Sequence, residues 1–201
     1  MTKKIVIASH NQGKLLEIRT LLEPFQLDVV GAGDLSLSEP EEPFATFIEN
    51  ALHKARHVSR LTGYPALADD SGLCVDHLMG APGILSARFA GLDKSDEKNN
   101  QKLLDLLQNV SHRKAYFNCC VVLIRHEFDP DPIISIGKWY GEIANSQSGG
   151  NGFGYDPLFF IPELNKTAAQ LSLAEKNQLS HRAKALNGII QALQKDSYFN
   201  N

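Results

Sequence analysis

The chain opens with an apolar strand that runs into a polar loop and then a helix, and this order most constrains its fold. Ile5 to Ala8 form a short apolar run that ends in the polar residues Ser9 to Lys14. Apolar residues at helical spacing follow over positions 14–22, and Leu27 to Val30 form a second apolar run. A strand, a helix and a second strand in succession are typical of α/β proteins.

The first long helix is predicted by a proline and an apolar stripe. Apolar residues recur at helical spacing from Phe44 to Val58, and Pro43 stands where a first helical residue would be. Gly63 interrupts the pattern. We therefore expect a helix that begins at Pro43 and ends before Gly63.

The second half of the chain predicts further strands and a long last helix. A helix and then β-forming segments are indicated, in this order, over residues 95–107, 115–125, 133–139 and 158–161. Ser172 to Glu175 form a capping box, so we expect a helix that starts there and carries one apolar stripe as far as Leu193. The pattern as a whole predicts an α/β fold with a mixed sheet.

Length, charge and cysteine content narrow the class of protein. The 201 residues suit a single domain over 1–201, with room for two small lobes. A net charge of −3 argues against wholesale wrapping of nucleic acid. Cys74, Cys119 and Cys120 cannot all pair, which favours reduced thiols. No apolar run has the length of a signal peptide core or a membrane span, so we expect a cytoplasmic protein without a membrane or nucleic-acid partner.

The loop from Ser9 to Lys14 is a candidate phosphate-binding segment. It follows a strand and precedes a helix, and helix N-termini offer free N–H groups and partial positive charge. Ser9 and Asn11 can form hydrogen bonds to ligand oxygens, and Lys14 adds a cation. The spacing is not that of a Walker A loop. The alternative is a capped helix start with an exposed lysine.

Two adjacent carboxylates, Asp69 and Asp70, follow an apolar segment. Such groups are costly unless they are hydrated, paired or bound to metal. Because successive strand residues face opposite sides, only one should point at a given site. Mg²⁺ takes oxygen ligands, and a second carboxylate could come from Glu39, Glu41 or Glu42. The alternative is a turn with solvated aspartates.

A glycine-dense segment runs from Gly149 to Pro157 without the dinucleotide-binding fingerprint. Its glycines would let the backbone approach a flat ligand, and Phe153 or Tyr155 would supply an aromatic face. The alternative is a flexible surface loop.

The segment from Lys176 to Arg182 carries cations and a histidine. On a continuous helix His181 lies roughly opposite the apolar stripe, so we do not expect a core histidine, and Arg182 flanks the stripe. Lys176, in the first turn, indicates a nearby anion or is merely exposed. Ser180 and His181, as neighbours on one helix, cannot face each other as nucleophile and base.

Together and in this order, these segments resemble the inosine triphosphate pyrophosphatase family of noncanonical purine nucleoside triphosphate pyrophosphatases. The resemblance implies hydrolysis of ITP, dITP and XTP to the monophosphate and pyrophosphate with Mg²⁺. It also implies a cytosolic homodimer with an elongated mixed β-sheet flanked by helices, in two lobes with a nucleotide cleft between them. The matching stretches within residues 5–186 are IVIASHNQGKLLEI, TFIENALHKAR, ALADDSGLCVDHLMGAPGILSARFAG, GGNGFGYDPLFF and LSLAEKNQLSHRAKAL.

The resemblance also implies roles for individual residues. Glu41 and Asp70 would hold Mg²⁺. Asp70 is the usual candidate for the general base, and Asp69 is the alternative because a bound metal lowers the basicity of its ligand. The chain has Glu41-Glu42-Pro43-Phe44 where the family has a Glu-Glu-Thr-Gly-like stretch, which leaves Glu41 and Glu42 open as metal ligands. The residues that would hold the triphosphate are Ser9, His10, Asn11, Gln12, Gly13 and Lys14. The residues that would contact the nucleotide are Ser71, Phe153, Gly154, Tyr155, Asp156, Lys176, His181 and Arg182, with Lys54 and Arg88 as further candidates.

The chemistry of the bases suggests how such a site would select its substrate. Hypoxanthine and xanthine carry a 6-oxo acceptor where adenine carries a 6-amino donor, so donors near His181 and Arg182 would favour the former. Two other functions stay open on the sequence alone. One is a nucleotide pyrophosphatase with another base preference, and the other is a non-catalytic nucleotide-binding module.

Overall fold

The computed structural model describes residues 4–25 and 27–200, so the ends of the predicted 1–201 domain and residue 26 lie outside the description. The chain divides into two compact units. Unit 1 comprises residues 1–70, 119–137 and 182–201, and unit 2 comprises residues 71–118 and 138–181.

A mixed seven-stranded sheet, in the order β2-β1-β3-β4-β5-β6-β7, is flanked by helices. The mixed sheet predicted from the alternation of elements is confirmed, since β1 pairs in parallel with β2 and β3 whereas β6 pairs antiparallel with β5 and β7. The strands are β1 (Lys4–Ile7), β2 (Asp28–Gly31), β3 (Ala66–Val75), β4 (Lys114–Ile124), β5 (Ile133–Ile143), β6 (Phe159–Ile161) and β7 (Lys166–Thr167).

The α-helices are α1 (Gln12–Leu22), α2 (Phe47–Thr62), α3 (Asp96–Leu106), α4 (Leu173–Leu179), α5 (His181–Leu193) and α6 (Ser197–Asn200). Short 3₁₀ segments join several of these elements. None of the helices among the described residues is long and apolar enough to cross a membrane.

The start of α2 differs from the prediction. The helix begins at Phe47, not at Pro43, because Thr46 caps it with a side-chain oxygen that accepts a hydrogen bond from the Glu49 N–H. Phe44 therefore lies outside the helix, and its side chain is exposed. A capping oxygen that satisfies an otherwise unpaired N–H sets the helix start more strongly than the fixed φ of a proline.

The predicted last helix is two helices. The capping box at Ser172 and Glu175 is confirmed, but Ser180 takes an extended conformation (φ −66°, ψ 158°) and separates α4 from α5. The break changes the helical phase, so the predicted face of His181 is wrong. Both His181 and Arg182 are buried at the start of α5.

Unit 1 packs apolar side chains on both faces of its part of the sheet. Ile5 and Ile7 join a cluster with residues of α1 and α5, whereas Val6 joins a cluster with residues of α2. Since successive strand residues point to opposite faces, β1 is covered by helices on both sides. Unit 2 has its own core, built around Trp139 and Phe159.

The position of the two aspartates in β3 decides between a buried strand and a solvated turn. Asp69 and Asp70 lie in the middle of a continuous buried strand, so the interpretation as a turn with solvated aspartates is wrong. The three cysteines, Cys74, Cys119 and Cys120, are free and buried.

Candidate active site

In unit 1, two neighbouring carboxylates on β3 contact different partners. Asp69 lies 3.0 Å from Lys14 Nζ and 3.4 Å from the Arg182 guanidinium. Asp70 accepts hydrogen bonds from Lys54 Nζ at 3.1 Å and from Asn50 Nδ2 at 3.3 Å. The alternation of side chains along a strand therefore separates the two groups, as predicted.

Asp69 is held as a fully ionised group. Burial alone would raise its pKa, but the charges of Lys14 and Arg182 outweigh burial and hold the pKa well below its usual value of 3.8. A carboxylate paired this tightly is a weak base. The arrangement suits a group that positions Lys14 and Arg182.

Asp70 has the opposite electrostatic character. Burial raises its pKa, Lys54 opposes the shift, and the nearby negative charge of Glu42 adds to it. A buried carboxylate with a raised pKa binds a proton or a cation more readily than an exposed one. Asp70 is therefore the better placed of the two aspartates for proton transfer or metal binding.

Glu42 reaches the Asp70 cluster through Lys54. Lys54 Nζ lies 3.0 Å from Glu42 Oε1 and 3.1 Å from Asp70 Oδ1. Glu41 is exposed on the same loop. Of the two glutamates that the sequence left open, the structure brings Glu42 towards Asp70.

The donor set around Lys54 fits a hard divalent cation. Asp70 and Glu42 supply carboxylate oxygens, and Mg²⁺ commonly takes one or two protein carboxylates together with phosphate oxygens and water. Within residues 4–25 and 27–200 no group of three or more His, Cys, Asp or Glu side chains could hold a metal by itself.

The loop before α1 is ordered by its own side chains. Ser9 Oγ accepts a hydrogen bond from the Asn11 N–H at 3.2 Å, and Asn11 Oδ1 caps α1 by accepting from the Lys14 N–H at 3.0 Å. His10 Nε2 lies 2.7 Å from the Leu37 carbonyl oxygen. Gln12 is exposed, Gly13 is half-buried, and Lys14 turns inward to Asp69. Of the alternative interpretation, the capped helix start is confirmed, whereas the exposed lysine is wrong.

Arg182 is held between two carboxylates of unit 1. Its guanidinium is only 2% exposed and pairs with Glu17 of α1 as well as with Asp69. Sequence reasoning placed Arg182 at the nucleotide and missed Glu17. A charged residue beside the apolar positions Leu15 and Ile18 of α1 is the signal that could have found it.

In unit 2, the glycine-dense segment supplies a buried ion pair beside an aromatic ring. Lys176 Nζ lies 2.7 Å from Asp156 Oδ2 and 4.8 Å from the centre of the Phe153 ring. The anion predicted near Lys176 is therefore Asp156. Gly152 has φ +78°, and a Cβ there would lie 2.0 Å from Asp156 Oδ2, so glycine is required.

α3 anchors the same segment. Asp96 Oδ2 accepts a hydrogen bond from the Gly154 N–H at 2.7 Å, and Asn100 Nδ2 donates to the Gly154 carbonyl at 2.9 Å. Tyr155 donates its hydroxyl to the Ser86 carbonyl at 2.8 Å, and burial raises its pKa. Tyr155 therefore belongs to the core of unit 2. The segment is held in place by hydrogen bonds to both the N–H and the carbonyl of Gly154.

His181 packs on the aromatic core of unit 2. Its ring stacks on Phe117 with centroids 4.7 Å apart and planes 13° apart. Phe117 in turn lies 4.6 Å from Phe159, which lies 5.2 Å from Trp139. The expectation that His181 is not a core histidine is wrong, because the break at Ser180 turns its side chain inward.

The remaining predicted residues lie in unit 2. Ser71 is half-buried on β3, and Arg88 is half-buried at the end of a 3₁₀ segment, Gly83–Arg88. The structure thus separates the predicted residues by unit. Those of unit 1 are Ser9 to Lys14, Glu41, Lys54, Asp69, Asp70 and Arg182; those of unit 2 are Ser71, Arg88, Phe153 to Asp156, Lys176 and His181.

Comparison with known proteins assigns the chain to a family. Residues 5–192 match the Ham1 family. The chain is 55% identical to a dITP/XTP pyrophosphatase of Nitrosomonas europaea, over 96% of this chain and 95% of that protein. It is 53% identical to a dITP/XTP pyrophosphatase of Burkholderia pseudomallei, over 94% and 93%.

Solved structures agree with this assignment. A HAM1 protein from Coxiella burnetii superposes with a TM-score of 0.91 at 44% identity, covering 97% of this chain and all 100% of that one. The Staphylococcus aureus Ham1 protein gives a TM-score of 0.84 at 42% identity, over 96% and 98%. By sequence and by fold, this chain belongs to the Ham1 family.

Proposed function

We propose that this chain hydrolyses noncanonical purine nucleoside triphosphates, namely dITP, ITP and XTP, to the monophosphate and pyrophosphate. Relatives more than half identical over nearly the whole chain are named dITP/XTP pyrophosphatases. The observation that carries the proposal is the buried Asp70 beside Lys54 and Glu42. That cluster combines a basic carboxylate with a cation, which hydrolysis of a phosphoanhydride requires.

The triphosphate would bind to unit 1. The N–H groups at the start of α1 and the ammonium groups of Lys14 and Lys54 would neutralise its charge. Asp70 would orient the water that attacks the α-phosphorus, a role that a metal-bound carboxylate can keep. The attack breaks the bond between the α-phosphorus and the oxygen that it shares with the β-phosphate, releases pyrophosphate and passes the proton of the water to solvent. The raised pKa of Asp70 supports this assignment over Asp69, whose pKa is lowered.

A divalent metal, for which we propose Mg²⁺, would be held by Asp70 and Glu42, with Glu41 as the alternative on the same loop. When bound, the metal supplies charge neutralisation for the pyrophosphate leaving group. Lys54 sits within 3.1 Å of both carboxylate partners and holds them together. The two carboxylates are therefore already close together before the substrate binds.

The base would bind to unit 2. Phe153 offers a ring face, and Lys176 and His181 offer donors to a 6-oxo group. An adenine 6-amino group would meet those donors with its own donor, which leaves buried polar groups unsatisfied. Ser71 and Arg88 would complete the nucleotide contacts. Arg182 would act on the site through Asp69, because both of its carboxylate partners lie in unit 1.

Product analysis tests the proposal. Purified protein with Mg²⁺ is given dITP, XTP, dGTP, dATP and dTTP separately, and the phosphorus products are resolved by ³¹P NMR. We expect monophosphate and pyrophosphate from dITP and XTP, with little turnover of the others. Orthophosphate with a diphosphate would instead mean attack at the γ-phosphorus.

The same panel separates the other candidate functions. Preferential turnover of a pyrimidine or guanine nucleotide would assign another base preference. Tight binding of every triphosphate without turnover, with metal and pH varied, would indicate a binding module. The presence of Asp70 and Glu42 in one cluster favours the enzyme.

Assembly and location are part of the same proposal. We expect a cytoplasmic homodimer of subunits that are each one domain over residues 1–201, with units 1 and 2 as its two lobes. Light scattering after size exclusion tests the dimer, with a mass of twice 22.2 kDa as the expected result.

A further inference from the structure

Unit 1 carries a second groove that the proposed function does not use. A cavity of about 620 Å³ is lined by Arg56 and Arg60 of α2 and by Glu127 and Phe128 of the segment between β4 and β5. Its volume falls in the range of small-molecule sites. None of these four residues belongs to the candidate active site, so the groove calls for its own explanation.

The groove contains two arginines and only one carboxylate among its lining residues. Arg60 Nε lies 3.3 Å from Glu127, whereas the buried Nε of Arg56 has no hydrogen-bond partner among the described residues. A buried N–H without an acceptor is costly, and Arg56 and Arg60, four residues apart on α2, lie on the same helix face. Two guanidinium groups and one carboxylate leave a net positive groove that favours an anion.

The groove also presents an aromatic ring on a fixed support. Phe128 is 79% exposed. The next residue, Asp129, is buried and accepts hydrogen bonds from the N–H groups of Arg125 at 2.9 Å and of Asp131 at 3.0 Å. Arg125 also pairs with Asp196 near the end of the chain. The exposed ring therefore projects from an anchored turn.

From this combination we infer that the groove binds a nucleotide, with its phosphate on Arg56 and Arg60 and its base on Phe128. Guanidinium forks match phosphate oxygens in geometry and charge. An exposed aromatic ring stacks with any base, because every base has a π face. The ligand class is thus a phosphate that carries a planar ring, supplied either as a free nucleotide or as the end of a nucleic-acid strand.

A fluorescent reporter at the groove tests the inference. The substitution Phe128→Trp places an indole on the groove, and the single native tryptophan, Trp139, is buried in unit 2. AMP, adenosine and inorganic phosphate are titrated while emission is recorded. We expect saturable quenching by AMP at millimolar concentrations or below, and weaker binding of adenosine because it lacks the phosphate.

Variants of the arginines define the anion contribution. In the Phe128→Trp background, Arg56→Gln with Arg60→Gln should weaken AMP binding by about tenfold or more, as expected for loss of charge-assisted hydrogen bonds. Arg19→Gln, which removes an arginine elsewhere in unit 1, is the matched control and should leave AMP binding unchanged. Hydrolysis of dITP should be unaffected by all of these variants.

The possible outcomes separate clearly. The inference is overturned if AMP gives no saturable quenching, if adenosine binds as well as AMP, or if the double variant retains wild-type affinity. A five-nucleotide single strand that binds much more tightly than AMP identifies a strand end as the source of the same phosphate and ring. The same titrations of the wild-type protein, in which Trp139 is the one tryptophan, are subtracted so that the signal reports on residue 128. Failure here then leaves the proposed hydrolysis untouched.

Discussion

Units 1 and 2 bury charge in different ways. In unit 1, four carboxylates meet three basic side chains in two groups: Lys54 joins Glu42 and Asp70, and Arg182 joins Glu17 and Asp69, with Lys14 also beside Asp69. In unit 2, Asp156 and Lys176 form one compact pair against an aromatic ring. In the proposed function, the cations of unit 1 meet the phosphates together with the metal, whereas the ring beside the pair of unit 2 meets the flat base. The proposed division between triphosphate and base rests on this difference.

The largest expected effect comes from breaking the buried ion pair of unit 2. Replacing Lys176 by Met removes the cation 2.7 Å from buried Asp156. We expect a loss of about 3–5 kcal/mol in the free energy of unfolding, measured by urea denaturation. Lys166→Met removes an exposed lysine that pairs with Glu175, and it should cost less than about 1 kcal/mol. Equal losses in the two variants would contradict the structural importance of the buried pair.

The next effect concerns pH and Asp69 in unit 1. Its pKa is lowered on folding, so its contribution to stability is present above its usual value of 3.8 and is lost as pH falls below that value. Asp69→Asn should lower the free energy of unfolding at pH 7 by up to about 3 kcal/mol and flatten its decline in acid. Asp28→Asn, which removes an exposed partner of Lys4, serves as the control. An unchanged acid profile in Asp69→Asn would show that other carboxylates dominate.

For a variant of Asp70 we expect a small change in the free energy of unfolding but a large change in kcat. Asp70→Asn should lower kcat for dITP by about 10²-fold, equivalent to about 2.7 kcal/mol, because the carboxylate that orients the attacking water is lost. Burial raises the pKa of Asp70, so its charge is a cost to the folded state above that pKa. We therefore expect stability at pH 7 to stay within about 1 kcal/mol of wild type. Asp105→Asn, at an exposed position of α3, is the control, and a wild-type kcat in Asp70→Asn would refute the assignment.

The smallest effect is expected from removal of one helix cap in each unit. Thr46 caps α2, which carries Asn50 and Lys54, and Ser95 caps α3 of unit 2. Each change to Ala should cost about 1 kcal/mol in stability. Only Thr46→Ala should also lower kcat, by a few-fold, because α2 positions the partners of Asp70. A similar loss of kcat in both variants would indicate a general loosening instead.

Local patterns predicted the secondary structure better than the contacts of the site. The strands around β3, the caps of α1 and α4, and the separation of Asp69 from Asp70 follow from residue periodicity and capping chemistry. The break at Ser180 was missed, since a serine in an apolar stripe does not mark a helix end by itself. That one break inverted the interpretation of His181.

Partners that are distant along the chain could not be predicted. Arg182 meets Glu17 across 165 positions, and no local pattern links two residues so far apart. Glu42 and Glu41 are equivalent in sequence, and only the position of Lys54 distinguishes them. The second groove of unit 1, lined by Arg56, Arg60, Glu127 and Phe128, was missed for the same reason. Its two sides come from α2 and from a loop that carries no motif.

The alternation along β3 limits how this family member can change. Because Asp69 and Asp70 point to opposite faces, one inserted or deleted residue before them in β3 would exchange their surroundings. Asp69 would then lie on the face of Lys54, and Asp70 on the face of Lys14 and Arg182, each displaced along the strand from the place that an aspartate now occupies. Surface loops can vary in length without such a penalty. We therefore expect this strand to vary by substitution only. The number of residues between its start and its two aspartates must stay constant for the site to form.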